Sequence, residues 1–112
     1  MAKPGLGNIM KQAQQMQAKM QQIQEELKNK HVEGSAGGGM VTAVANGQGA
    51  LIRIRIEPEV VDKDDVEMLE DLIVAAVNQA AENAKNLAAE EMSKVTGGLL
   101  SGLPGGLNPF GM

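Results

Sequence analysis

Apolar and small side chains recur at Leu6, Ile9, Ala13, Met16, Met20, Ile23 and Leu27, alternating three- and four-residue steps over three heptads. That period keeps one stripe of a helix facing a partner helix, and the Gln, Lys, Met and Ala between its positions are good helix formers. A helix is predicted over 8–29, with Asn8 as its cap after Gly5 and Gly7. It would run roughly 33 Å, longer than a small core covers, so part of it should project.

The period then changes to two. Met40 to Ala45 and Ala50 to Ile56 read as the arms of a β-hairpin around Asn46-Gly47, a pair that suits the positive φ angles of a tight primed turn. Counting outward puts Val41, Ala43, Ala50, Ile52 and Ile54 on one face, the expected core face. Met40, Thr42, Val44, Leu51, Arg53 and Arg55 fall on the other. Pro58 stops the second arm, and His31 to Glu33 adds a short third strand.

Asp64 with Glu67 three residues later makes a capping-box start, in an acidic first turn that suits the positive end of a helix dipole. The helix it opens continues through Val66, Leu69, Ile73, Val77, Ala80, Ala84 and Leu87 to about Val95, with Gly97-Gly98 as its stop. Its Ala-rich stretch, 75–89, permits close packing. The remaining GGLLSGLPGGLNPFGM holds six glycines and two prolines in sixteen residues and reads as a flexible tail. The expectation is an α+β fold: a long helix, a two- to three-stranded antiparallel sheet and a second long helix, in one domain over 1–96 with a tail over 97–112.

Composition adds a second copy to this picture. The chain has 112 residues, and its hydrophobic share of 43% includes 14 Ala and 8 Met, with Phe110 the only aromatic. So thin a core should be completed by another protomer, giving an obligate homodimer with projecting helical arms. There is no cysteine, which excludes disulfides, thiolate nucleophiles and Cys-based metal sites. Lysines interrupt every candidate leader, and no apolar run reaches about 18 residues, so no membrane association is expected.

The net charge of −4 is unevenly distributed. Residues 1–24 carry Lys3, Lys11 and Lys19 and no acid, a balance of +3, whereas residues 57–71 carry eight acids against Lys63, a balance of −7. Such asymmetry separates a partner-facing end from a solvated end. Lys11 and Lys19 have no acid on their own helix before Glu25, so their potential should reach solvent. Arg53 and Arg55, two apart on one strand, form the rival basic surface, but their apolar neighbours point to burial against a helix or a partner protomer.

Catalytic chemistry has few reagents here. His31 stands at a helix-to-strand junction with no nucleophile motif beside it. A calcium loop beginning at Asp62 fails at Val66, Glu67 and Ile73. Gly37 to Gly39 lacks the Gly-Lys-Ser/Thr of a phosphate loop, and Gly47-Gln48-Gly49 lacks the third glycine of a dinucleotide turn. No enzymatic activity, cofactor, metal or small-molecule substrate is expected.

The string Gly5-Leu6-Gly7-Asn8-Ile9-Met10-Lys11-Gln12-Ala13-Gln14-Gln15-Met16-Gln17, with Lys19-Met20-Gln21 and Gln24-Glu25-Glu26-Leu27, resembles the opening of the YbaB/EbfC family of nucleoid-associated proteins. Val32-Glu33-Gly34, Gly37 to Gly39, Asn46-Gly47, Ile56-Glu57-Pro58, Glu67 to Ile73, Ala75-Ala76 and Asn78 extend the resemblance, in order and spacing, to nearly the whole chain before the tail. The resemblance implies a cytoplasmic, nucleoid-located homodimer with tweezer-like helical arms. It implies a protein that binds double-stranded DNA, organises the chromosome and influences transcription. Carried over by position, the DNA contacts are Lys11, Gln14, Gln15 and Lys19 on the first helix and Lys85 and Lys94 on the last. Met16, Met20, Ile23, Ile52, Ile54, Leu69 and Ile73 are the expected core and dimer positions.

The expected mechanism is phosphate neutralisation with little sequence discrimination, and the lack of aromatics argues against single-strand stacking. Two other readings remain open at this level. A prefoldin-like holdase also sets a hairpin between helical arms, and an adaptor could recruit a basic protein to the acidic stretch 57–71.

Overall fold

A computed structural model describes residues 4–101, with side-chain surroundings for 6–95. Helix α1 (Pro4–Asn29) leads into strands β1 (His31–Ala36), β2 (Val41–Asn46) and β3 (Leu51–Ile56). A 3₁₀ turn (Pro58–Val60) then precedes helix α2 (Val66–Ser101). The strands form one antiparallel sheet with β2 in the middle. The molecule measures 79 × 30 × 15 Å, a single helix layer on a single sheet layer.

The core is the contact between α2 and one face of the sheet. Val41, Ala43 and Ala45 of β2, Val60, and Ala76 and Ala80 of α2 are buried together, with Ile54, Leu69 and Ile73 half-buried around them. Small residues on both sides bring the layers close. The closest approach is at Gly34, where an added Cβ would run into the backbone nitrogen of Ala80 and lie 2.5 Å from the carbonyl oxygen of Ala76. The Asn83 side-chain amide donates to the Glu33 carbonyl at 2.6 Å, fixing β1 along the same helix.

The hairpin is built differently from the tight Asn46-Gly47 turn expected from sequence. The positive φ falls at Gly49 (90°), and the Asn46 carboxamide oxygen accepts the backbone N–H groups of Gln48 and Ala50, both at 3.0 Å. The asparagine side chain organises a wider loop instead of adopting a left-handed backbone. Pairing then jumps from Val44–Arg53 to Ala45–Leu51, leaving Ile52 as the extra residue of a bulge. Sequence counting assumes an unbroken ladder, and so places Ala50 and Ile52 in the core. Both are exposed, Ile52 at 45%, while Ile56, opposite Val41, packs against the core instead.

Four boundaries also move. Helix α1 begins at Pro4, whose missing N–H costs nothing in a first turn, so Asn8 is not its cap. Strand β1 runs to Ala36 instead of Glu33, because its register with β2 continues to Val41. The cap of α2 is Asp65, whose carboxylate accepts the N–H of Met68 at 3.2 Å, whereas Asp64 donates its own N–H to the side chain of Asp62. Helix α2 passes through Gly97-Gly98 to Ser101. Helix propagation across two glycines costs only about 1 kcal/mol each, too little to force a stop. The rest of the expected tail, 102–112, lies outside the described residues.

The C-terminal end of α1 is anchored. Leu27 is buried against Gly47, whose N–H donates to the carbonyls of Leu27 (2.8 Å) and Lys30 (2.9 Å), and Ile23 is buried one turn earlier. Met20 and Met16 are half-buried, and beyond them Ile9 and Leu6 are 63% and 66% exposed. The seam read from the sequence is thus covered at the root of α1 and open along its outer half.

Candidate nucleic-acid interface

The two ends of the molecule carry opposite charge. Gly37 meets Leu72 near the start of α2, Gly34 lies against Ala76 and Ala80, and Lys30 reaches Glu91. The sheet therefore lies along α2 with the acidic run 62–71 at one end and the α1 root at the other, separated by about 30 Å of helix from Asp71 to Glu91. The acidic run has a structural role in the loop and cap made by Asp62 and Asp65.

Lys11, Gln14, Gln15 and Lys19 are all exposed on α1, and neither lysine forms an ion pair among the described residues. Eight residues separate the two ammonium groups, about 12 Å along the axis and about 80° around it. Lys11 lies about 170° from the middle of the apolar seam, and Gln14 and Gln15 flank it at about 130°. Lys11, Gln14 and Gln15 thus form the outer side of α1, and Lys19, about 90° from the middle of the seam, lies at its flank.

The last helix does not match this arrangement. Lys85 is exposed with no ion pair among the described residues, but Lys94 stands nine residues on, about 180° around the helix. Lys94 turns instead toward Glu91, 3.5 Å away. One surface cannot use both lysines of a single α2.

Glu91 is the group sequence reasoning missed. Its carboxylate is buried at the α1–α2 junction, and its Oε1 accepts from Lys30 Nζ at 2.8 Å. That hydrogen bond holds the Glu91 carboxyl below the usual carboxylate range against the burial that opposes it, with the charges of Lys30 and Lys94 adding to it. The same bond raises Lys30 above the usual lysine range. The ion pair fixes where α1 leaves the body of the protein. The seam position four residues after Leu87 was the available signal, because a glutamate there must be paired or excluded.

Arg53 and Arg55 are exposed on β3, opposite Val44 and Thr42, on the face of the sheet turned away from α2. Burial against a helix of the same chain is thereby corrected: α2 covers the other face. Neither arginine pairs with Glu57, Glu59 or any other described acid. Glu33 shares this face through its register with Val44.

The profile of the YbaB/EbfC DNA-binding family matches residues 2–99. A nucleoid-associated protein of Caldanaerobacter subterraneus subsp. tengcongensis is 62% identical over 93 residues, covering 83% of this chain and 84% of the relative. One from Acetivibrio thermocellus is 58% identical over 106 residues, covering 91% and 93%. The crystal structure of an uncharacterized protein from Helicobacter pylori shares the fold, with a TM-score of 0.58 at 23% identity over 79% of this chain and 98% of that one.

Proposed function

The chain belongs to the YbaB/EbfC DNA-binding family, and from that premise we propose that it acts at the nucleoid as a homodimer gripping duplex DNA through the outer face of α1. The observation that carries the reading is the unpaired Lys11–Lys19 face, basic and rich in glutamine, on a helix that extends beyond the core. Its lysines neutralise phosphates and release counterions, and its glutamines add hydrogen bonds to sugar and phosphate that carry no sequence information. Lys85 contributes from α2, whereas Lys94 serves the Glu91 junction.

The second protomer packs over the sheet face that α2 leaves open. Val44 and Thr42 at the middle of that face are already buried within the protomer, so the contact is made by the exposed side chains beside them, Arg53 and Arg55 of one copy opposing Glu33 of the other across a twofold axis. Dimerisation doubles the number of lysine faces presented to one duplex. Binding stays weak per dimer because each face holds so few charges.

A mobility shift with duplexes of unrelated sequence, run beside a light-scattering assay on a denatured client protein, tests this reading. Similar retardation of every duplex, abolished by salt, is expected. Suppressed client aggregation without duplex retardation would establish the holdase reading instead.

A further inference from the structure

The outer half of the α1 seam is apolar, exposed and unused by the chain's own fold. Leu6, Ile9 and Met10 are 66%, 63% and 59% exposed, in continuity with the stripe that Ile23 and Leu27 bury at the α1 root. A three-four spacing suits another helix of the same repeat. The positions flanking the seam in a coiled coil set partner choice by charge: Lys19 is one, beside half-buried Met16 and Met20, whereas those along the exposed outer half, Met10, Gln12 and Gln17, are neutral. With no charge there, a like copy meets no repulsion, and a differently charged partner gains nothing. Lys11 faces away from the seam, so a duplex on the outer side leaves the inner side open.

We infer that the α1 seams of two homodimers pair with each other, joining dimers through their arms. The occupant of the stripe is the α1 helix of a second copy, distinct from the protomer across the sheet. Two such short stripes bury well under the about 1,200 Å² of a stable interface, so the pairing is weak in free solution. It forms when dimers are held side by side, because a shared duplex raises their effective concentration. The inference rests on the proposed function in two respects, the DNA binding for that enrichment and the sheet-face homodimer for the units that are joined; the pairing of the seams is a property of the protein.

The chain has no cysteine, so Ile9→Cys places one thiol on the seam. Disulfide linking of the reduced and re-oxidised protein is measured in three conditions: dilute without DNA, concentrated without DNA, and dilute on a duplex long enough for several dimers. A short duplex that holds one dimer measures binding separately. Linking is expected on the long duplex and at high concentration, and absent from dilute protein and from the short duplex. Leu6→Gln with Ile9→Gln should bind the short duplex unchanged and lose cooperativity on the long one. Linking in dilute protein would place the seam inside the basic dimer and overturn the inference, as would no linking in any condition. Should the short duplex not be bound at all, the DNA reading fails, and linking in the concentrated sample still decides the seam.

Discussion

Lys30 Nζ lies 2.8 Å from Glu91 Oε1, across 61 residues of sequence, and ties the end of α1 to the distal part of α2. The Glu91 carboxyl is held below its usual range, so the stability it contributes is present above that range and disappears as pH falls through the depressed value. Lys30 is raised, so its contribution is present below the usual lysine range and disappears only as pH climbs past the raised value. Thermal midpoints of the native protein and of Glu91→Gln should therefore differ by a constant amount around neutrality and converge in acid. A gap that persists unchanged into acid would mean that the charge of Glu91 is irrelevant and only its packing matters.

At Gly34 the sheet and α2 touch backbone to backbone, with the nearest atoms belonging to the main chain of Ala76, Gln79 and Ala80. Main-chain atoms cannot swing aside as a flexible side chain can. Gly34→Ala should cost at least the upper part of the about 1–3 kcal/mol typical of overpacking, measured by denaturant unfolding. A loss under about 0.5 kcal/mol, the range of ordinary surface changes, would show that the layers slide apart freely.

This glycine also marks the limit of what the chain discloses as a sequence. The heptad spacing from Leu6 to Leu27 locates α1, and the period of two locates β2 and β3, because each depends only on neighbours in the chain. A glycine within β1 announces a special backbone position, but whether that is a hinge or a close approach depends on Ala76 and Ala80, more than forty residues away. The bulge at Ile52 is hidden for a related reason: the Asn46 side chain sets the loop length, and one unpaired residue shifts the facing of everything between it and the turn. Lys11 and Lys19 are legible as an unpaired basic face. The division of Lys85 from Lys94 requires the helix to be placed against Lys30 and Glu91.

Substitution of Arg53 and Arg55 tests the proposed dimerisation separately from DNA binding. Sedimentation of the native chain should give a dimer whose unfolding midpoint rises with protein concentration. Arg53→Ser with Arg55→Ser should shift the monomer–dimer equilibrium toward monomer while each protomer stays folded. If the variant instead remains fully dimeric and no longer binds duplex, the open sheet face is the DNA surface and the protomers meet elsewhere.

The most direct measurement of the central claim is the salt dependence of duplex binding for the native protein and for Lys11→Ala with Lys19→Ala. The logarithm of the binding constant should fall linearly with the logarithm of salt concentration, with a slope of about −0.9 for each phosphate neutralised. Removing the two lysines, both exposed and unpaired, should leave the melting midpoint and the dimer unchanged. It should weaken binding to all duplexes alike and flatten the slope by about 1 for each phosphate no longer neutralised. An unchanged slope and affinity in that folded variant would contradict a grip through α1.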